Sequence, residues 1–192
     1  MTKNWVLLLG AGLLSACASA PITQYYRLAD VTPTATPTST KLPAILVDIK
    51  VADFLSAGGI AYQQGDVELR LAQQNLWAER LPEGVKRVLI ARMQQQAPNK
   101  LWLDSAPNGR ISTLSVELTQ FNGRDDGQAI LAGHWFLRNA QQTLILQAPF
   151  HIELAQQGKG YPALVVALGQ GLDRLGQEIS QKLAECTAKG DC

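Results

Sequence analysis

A single stripe of aliphatic residues near the C-terminus constrains the fold of this chain more than any other feature. Its members recur every three or four positions, which is the period of one helix face: Leu164, Leu168, Leu172, Leu175, Ile179 and Leu183. Because only one face is apolar, the helix must bury that face against another layer of secondary structure. Three glycines share the segment, and each lowers helix stability by about 1 kcal/mol relative to alanine. We therefore expect close packing at Gly169, Gly171 and Gly176.

The residues before this helix predict the sheet that it covers. Apolar and polar residues alternate with a period of two in four segments, which is typical of half-buried strands: 45–51, 114–119, 130–138 and 143–154. The last three segments predict an antiparallel meander with a turn at 122–127. Pro149 places the final strand at an edge or at a bulge. Residues 60–64 and 67–71 predict a further hairpin.

A second amphipathic helix begins near Pro82 and ends before Pro98. We therefore predict an α+β fold, a single domain whose largely antiparallel or mixed sheet carries two amphipathic helices packed on one face. The chain divides into four parts, which are a lipoprotein signal peptide (1–16), an acylated N-terminus with a short strand and a mobile Thr/Pro-rich loop (17–43), the compact domain (44–185) and a C-terminal tail (186–192).

Residues 1–17 have the layout of a bacterial lipoprotein signal. Lys3 precedes an apolar run of ten residues that ends at Leu14, which is too short to span a membrane. Leu14-Ser15-Ala16-Cys17 matches the lipobox, where small side chains fit the signal peptidase and the thiol accepts a diacylglyceryl group. We predict that Cys17 becomes the acylated first residue and that its lipid chains, palmitate among them, hold the protein on a membrane. The alternative is a buried N-terminal helix with an incidental cysteine.

The residue after Cys17 indicates the compartment of the domain, and that compartment determines what is expected of the two C-terminal cysteines. Ala18 follows Cys17, and the absence of aspartate at this position favours the outer membrane in Gram-negative sorting, with the domain on its periplasmic face. That compartment is oxidising, so we predict a disulfide between Cys186 and Cys192, beyond the last helix. Because the loop that it closes is short, its stabilisation is expected to be modest.

Composition and motifs exclude several functional classes. Seventeen Lys+Arg against 16 Asp+Glu give a formal net charge of +1, which argues against a surface for nucleic acid. The chain contains neither a nucleophile elbow nor a glycine-rich phosphate loop. His134 and His151 lack a partner at metal-ligand spacing, and the adjacent Asp125 and Asp126 are typical of a solvated turn. We predict no enzyme, no catalytic or metal site, and no cofactor besides the covalent chains on Cys17.

Four motifs carry a resemblance to a known family. In chain order they are Tyr25-Tyr26-Arg27-Leu28 after the lipobox, Val51-Ala52-Asp53-Phe54-Leu55, Gly59-Ile60-Ala61-Tyr62-Gln63, and Asn75-Leu76-Trp77-Ala78 before Leu81. This order of an aliphatic-Tyr strand, a Trp-Ala signature and an amphipathic helix resembles the ABC-type transport auxiliary lipoprotein family, the PqiC-like lipoproteins. The low-complexity loop at 32–43 is not part of that pattern.

The resemblance implies a non-catalytic role at the outer membrane. Members of this family are expected to support an MCE-type system that moves lipids between the two membranes and maintains envelope integrity. The partner implied is an MCE-domain membrane protein, held at its outer-membrane end by a lipoprotein that can form a homo-oligomeric ring. The family carries no catalytic residue onto this chain.

Two alternatives remain open from the residues alone. Trp77 is a candidate partner contact, since tryptophan is enriched at interface hot spots, but it equally suits a core position where the hairpin meets the helix. The alternative function is a periplasmic carrier that shields a lipid in an apolar cavity of several hundred cubic ångström between helix and sheet. A cell-wall hydrolase would need a clustered acid pair or a histidine-based triad, and the sequence shows neither.

Overall fold

A computed structural model describes residues 21–31, 42–106 and 109–189, which contain eight strands and two long helices. In chain order these are β1 (Gln24–Tyr26), β2 (Ala44–Val51), β3 (Gly59–Gln64), β4 (Glu68–Trp77), α1 (Leu81–Gln96), β5 (Leu101–Leu103), β6 (Ser112–Arg124), β7 (Gln128–Arg138), β8 (Leu144–Ala155) and α2 (Gly160–Lys189). A short 3-10 helix, Asp53–Ala57, follows β2. Neither α1 nor α2 has both the length and the apolar character that a membrane span requires.

The long strand β6 organises the sheet. Along one edge it pairs antiparallel with β7, which pairs antiparallel with β8. Along the other edge its first half pairs parallel with β2, and its last three residues pair parallel with β3. β5 then flanks β2, while β4 flanks β3 and β1 flanks the end of β4. The predicted hairpin and meander are both present, and the sheet is mixed, so the predicted α+β class is confirmed.

The two helices pack on one face of this sheet and against each other. The predicted stripe of α2 lies in the core, with exposures between 0% and 3% for its six members. Each such side chain stabilises the fold by about 1.5–3 kcal/mol relative to an exposed one. The strands contribute the facing half of the core, including Val47, Val116, Trp135 and Ile152. The predicted arrangement of two helices over one sheet face is therefore confirmed.

The predicted close packing of the α2 glycines is found at two of three positions. A Cβ on Gly171 would lie 2.4 Å from Leu131 Cδ1, and a Cβ on Gly176 would lie 2.8 Å from Gln96 Oε1. Gly169 faces open space, so the prediction is wrong there.

Several element boundaries differ from the sequence predictions. β6 continues through residues 122–124, because β3 pairs with them on one edge and β7 extends along the other. β4 likewise continues through Asn75–Trp77, beyond the predicted strand at 67–71, because β1 pairs with these residues. α2 runs on to Lys189, since no glycine or proline interrupts residues 184–189, so Cys186 lies on the helix and not beyond it.

Candidate functional site

The first described residues form an arm that packs on the domain. We call residues 21–31 the N-terminal arm. Within it β1 pairs parallel with the end of β4, and the Ala78 amide donates to the Tyr26 carbonyl at 2.7 Å. The side chains of Leu28 and Val31 are buried in the core, at 1% and 7% exposure. Since Cys17 precedes this arm by only a few residues, the arm connects the predicted lipid anchor directly to the sheet.

Arg87 on α1 fixes the arm to the helix layer. Its guanidinium donates to the Leu28 carbonyl at 3.1 Å and to Glu79 Oε1 at 2.7 Å, and it pairs with Asp30. Arg27 completes the group, with its Nη2 3.1 Å from Asp30 Oδ1. Sequence reasoning missed this network, because Leu28 and Asp30 lie 59 and 57 positions from Arg87 and no local spacing connects them.

Trp77 lies where the arm, β4 and the core meet. Its ring centroid is 6.0 Å from that of Phe121 on β6, and the side chain is 7% exposed. Its amide donates to the Gly58 carbonyl at 2.8 Å. This burial is what the core alternative for Trp77 requires, and a direct partner contact by this side chain stays a prediction.

A cleft of about 370 Å³ opens at the beginning of α2. Tyr62, Tyr161 and Leu164 supply its apolar wall, and Lys159 lies at its edge. Burial raises the pKa of Tyr161, and the nearby hydroxyls of Tyr62 and Tyr26 raise it further. Below the cleft, the space between α2 and the sheet is filled by fully buried side chains such as Leu168 and Leu172. The cleft is thus a surface feature and does not continue into the core as an apolar chamber.

The carboxylates of the predicted turn support the sheet. Asp125 Oδ2 accepts from the Gly65 amide at 2.8 Å, which joins the β3–β4 turn to the β6–β7 turn. Asp126 accepts from Arg124 at 2.7 Å, and Arg124 also reaches Glu153 on β8 at 3.0 Å. These hydrogen bonds from Arg124 lower the pKa of Asp126 and of Glu153.

The two histidines lie apart on exposed strand positions. His151 Nε2 is 2.9 Å from Glu153 Oε1, whereas the His134 ring stacks near Phe136 at 6.4 Å between centroids. Within residues 21–31, 42–106 and 109–189, no group of three or more His, Cys, Asp or Glu side chains is placed to hold a metal ion.

Two of the cysteine predictions fall outside the described part of the chain. Cys17 and Cys192 both lie outside the described residues, as do residues 32–41 of the Thr/Pro-rich loop. Cys186 is on α2, with 5% exposure. Acylation of Cys17 and pairing of Cys186 with Cys192 therefore stay predictions.

The sequence places the chain in a known family. Residues 26–180 match the ABC-type transport auxiliary lipoprotein component family. The chain belongs to this family. It is 30% identical to the intermembrane transport lipoprotein PqiC of Escherichia coli K12 over 184 residues, which cover 94% of this chain and 97% of that protein. PqiC of Shigella flexneri matches with the same identity and coverage. The resemblance carried by residues 25–28, 59–63 and 75–78 is thereby confirmed.

Solved structures share the fold. A crystal structure of an uncharacterized protein superposes with a TM-score of 0.75 at 30% identity, covering 85% of this chain and 99% of that chain. A protein from Xanthomonas campestris superposes with a TM-score of 0.65 at 15% identity, covering 88% of this chain and all of that one. The second likeness concerns the fold alone.

Proposed function

We propose that this chain is an outer-membrane-anchored periplasmic lipoprotein that serves as a non-catalytic subunit of an intermembrane lipid transport system. The observation that carries the proposal is the similarity to PqiC over nearly the whole chain, since PqiC is named as an intermembrane transport lipoprotein. The partner that we propose is an MCE-domain membrane protein, held at its outer-membrane end by one copy or by a ring of copies of this lipoprotein.

The geometry of the N-terminal arm supports an anchoring role. β1 joins the sheet, Leu28 enters the core and Arg87 ties the arm to α1. A mechanical force between the lipid on Cys17 and a partner bound to the domain would be transmitted through these contacts rather than through a flexible linker. No catalytic step is needed for such a role, and the carboxylates of the β6–β7 turn are engaged in structural hydrogen bonds.

The carrier alternative has less support from the packing of the domain. A carrier must enclose most of the surface of its ligand, as pockets for small molecules do. The cleft at α2 lies at the surface, and the region between α2 and the sheet is filled by the aliphatic stripe. A bound lipid would therefore have to separate α2 from the sheet.

The proposal is tested by in-cell crosslinking, gentle detergent extraction and mass spectrometry of the molecules that accompany the protein. Recovery of an MCE-domain protein crosslinked to the mature domain is expected. Recovery of stoichiometric phospholipid without any protein partner would contradict the adaptor function and favour the carrier.

Anchoring is tested separately with Cys17→Ser. This change removes the thiol that accepts the diacylglyceryl group, so we expect the protein to be lost from the outer-membrane fraction. Cys186→Ser is the matched control, because it removes another cysteine and leaves the lipobox intact. Retention of Cys17→Ser in the outer-membrane fraction would contradict a lipid anchor at this residue.

A further inference from the structure

The apolar side chains that the described residues leave exposed are concentrated at one edge of the sheet. Five of the seven large ones lie on the N-terminal arm or at the start of β4, and we call them the apolar edge: Ile22, Tyr25, Val67, Leu69 and Leu71. Val67 at the hairpin turn is 96% exposed and Ile22 is 83% exposed. Single exposed apolar residues are ordinary, but a contiguous group indicates an interaction surface.

The strand members of this group point to the same side of the sheet. Leu69 pairs with Gln63 and Leu71 pairs with Ala61, and residues two apart on β3 share a face. Tyr26 on β1 turns its ring toward α2, 6.3 Å from the ring centroid of Tyr161, so its neighbour Tyr25 points to the opposite face of the sheet. Tyr62 points the opposite way, toward Leu164 on α2. The apolar edge therefore lies on the side of the sheet away from the helices.

The length of the chain before β1 indicates what this surface meets. Gln24 follows Cys17 by seven positions, and this stretch spans at most about 25 Å when fully extended. A domain of about 150 residues has a radius of gyration of about 15 Å and is about 40 Å across. The tether is thus shorter than the domain is wide, so the end of the domain that carries β1 must stay near the membrane that holds Cys17.

The charges on this strand suit a lipid surface. Glu68 and Arg70 flank Leu69 in sequence but alternate to the other face of β4, where they pair with each other at 2.6 Å, so they place no charge between the apolar residues. Tyr25 adds a ring with a polar tip, which is the side chain favoured at the level of lipid headgroups.

We propose that the apolar edge is the face that the domain lays on the lipid surface, with Val67, Leu69 and Leu71 in contact with headgroups and upper acyl chains. The proposal rests on the proposed anchoring at Cys17. It adds an orientation to that function, because the β4 edge of the sheet then runs along the membrane while β8 lies at the far edge. The competing occupant is a protein strand, since residues 68–74 of β4 pair with no other described strand on their outer edge.

The test uses a photoreactive benzophenone amino acid in the acylated full-length protein, reconstituted in vesicles of phosphatidylethanolamine and phosphatidylglycerol. It replaces Leu69 in one variant and Leu144 in the matched control. Both leucines lie on edge strands with nearly equal exposure, 39% and 41%, but Leu144 is on β8 at the opposite edge of the sheet. A third variant carries the group at the fully exposed position of Val67, where the fold is not perturbed.

We expect severalfold more phospholipid adduct from positions 67 and 69 than from position 144 after irradiation. Equal adduct at all three positions, no lipid adduct at 67 and 69, or crosslinks from them to a second protein chain would each overturn the proposal. The mass of the N-terminal peptide reports acylation of Cys17 in the same sample. A chain without the acyl group overturns the anchor itself, whereas an acylated chain without lipid adduct at 67 and 69 overturns only the orientation.

Discussion

Arg87 is the residue on which the position of the N-terminal arm most depends, because its one guanidinium contacts a backbone carbonyl and two carboxylates. These partners come from both sides of the Thr/Pro-rich loop, so the contact joins segments that are remote in sequence. Hydrogen bonds to charged groups contribute more than neutral ones, and this side chain is only 30% exposed. Together these facts make Arg87 the best point at which to loosen the arm without changing the rest of the sheet.

Arg87→Ala is expected to lower the free energy of unfolding by roughly 1–3 kcal/mol, because the Leu28 carbonyl and Glu79 lose a charged donor. Amide exchange in residues 21–31 should become faster than exchange in β7. Denaturant unfolding and hydrogen exchange mass spectrometry measure the two effects. Arg80→Ala is the control, since Arg80 is 83% exposed and its one ion pair among the described residues is with Glu83. Unchanged exchange of the arm in Arg87→Ala would show that this network does not hold it.

Trp77→Ala is expected to destabilise the domain by roughly 3–5 kcal/mol, because the ring is buried against Phe121. Weaker partner association in this variant would therefore follow from lost folding alone. Trp77→Phe keeps an aromatic ring in the core and gives the sharper measurement. Normal recovery of the partner with folded Trp77→Phe supports the core role, and a clear loss of recovery would support a direct contact through the indole.

At the scale of elements, sequence patterns locate what local periodicity determines. The stripe from Leu164 to Leu183 predicts α2, and period-two alternation predicts β2, β6, β7 and β8, because each pattern reflects one buried face. Pairing between remote strands leaves no local signal, so the parallel pairing of β6 with β2 and β3 could not be predicted from the sequence. The same reason explains why β5, three residues with no alternation to count, was missed.

The features of the candidate site divide in the same way, into those that a local sequence pattern predicts and those that depend on tertiary structure. The lipobox is a local pattern and predicts the anchor, whereas the contact of Arg87 with the arm depends on tertiary structure. The apolar edge was visible only as alternating residues in a hairpin, and its exposure reflects the position of α1 and α2 on the other face of the sheet. Propensity alone therefore indicates the elements but not which of their faces remain uncovered.

The glycines of α2 provide a test of its packing. Gly171→Ala places a Cβ only 2.4 Å from Leu131 Cδ1, and Leu131 is fully buried, so we expect destabilisation of roughly 1–3 kcal/mol. Gly169→Ala is the matched control in the same helix, since it faces open space and gains helix propensity of up to about 1 kcal/mol. Thermal and urea unfolding of both variants measure the difference. Equal stability of the two would contradict close contact between α2 and β7.

At the scale of the whole molecule, the face of the sheet without helices is held by a charged network. Arg124 at the end of β6 joins the β6–β7 turn to β8 through Asp126 and Glu153, and His151 extends the group. All of these side chains are exposed or half-exposed, so salt and pH reach them. The network therefore couples the stability of the meander to solution conditions, unlike the helix-covered face.

The acid dependence of stability tests this coupling, and its sign follows from the pKa directions. Hydrogen bonds from Arg124 lower the pKa of Asp126 and Glu153 below their ordinary values of 3.8 and 4.5 in the folded state. Their contribution is therefore present above those values and is lost as the pH falls through the lowered ones. Arg124→Gln removes the main cause, so it should be less stable than the parent at pH 7, and this difference should shrink toward pH 3.

Urea unfolding at a series of pH values measures this difference, with Arg138→Gln as the control. Arg138 on β7 lies on the same helix-free face of the sheet as Arg124, but within the described part of the chain its side chain donates only to the Gln142 carbonyl, so its loss should shift stability by the same amount at every pH. Other titrating groups, such as the partly buried Asp173, are common to the parent and both variants and cancel in the comparison. A difference for Arg124→Gln that stays constant with pH would mean that these carboxylates do not depend on Arg124. The helix-free face would then be held mainly by its strand pairing.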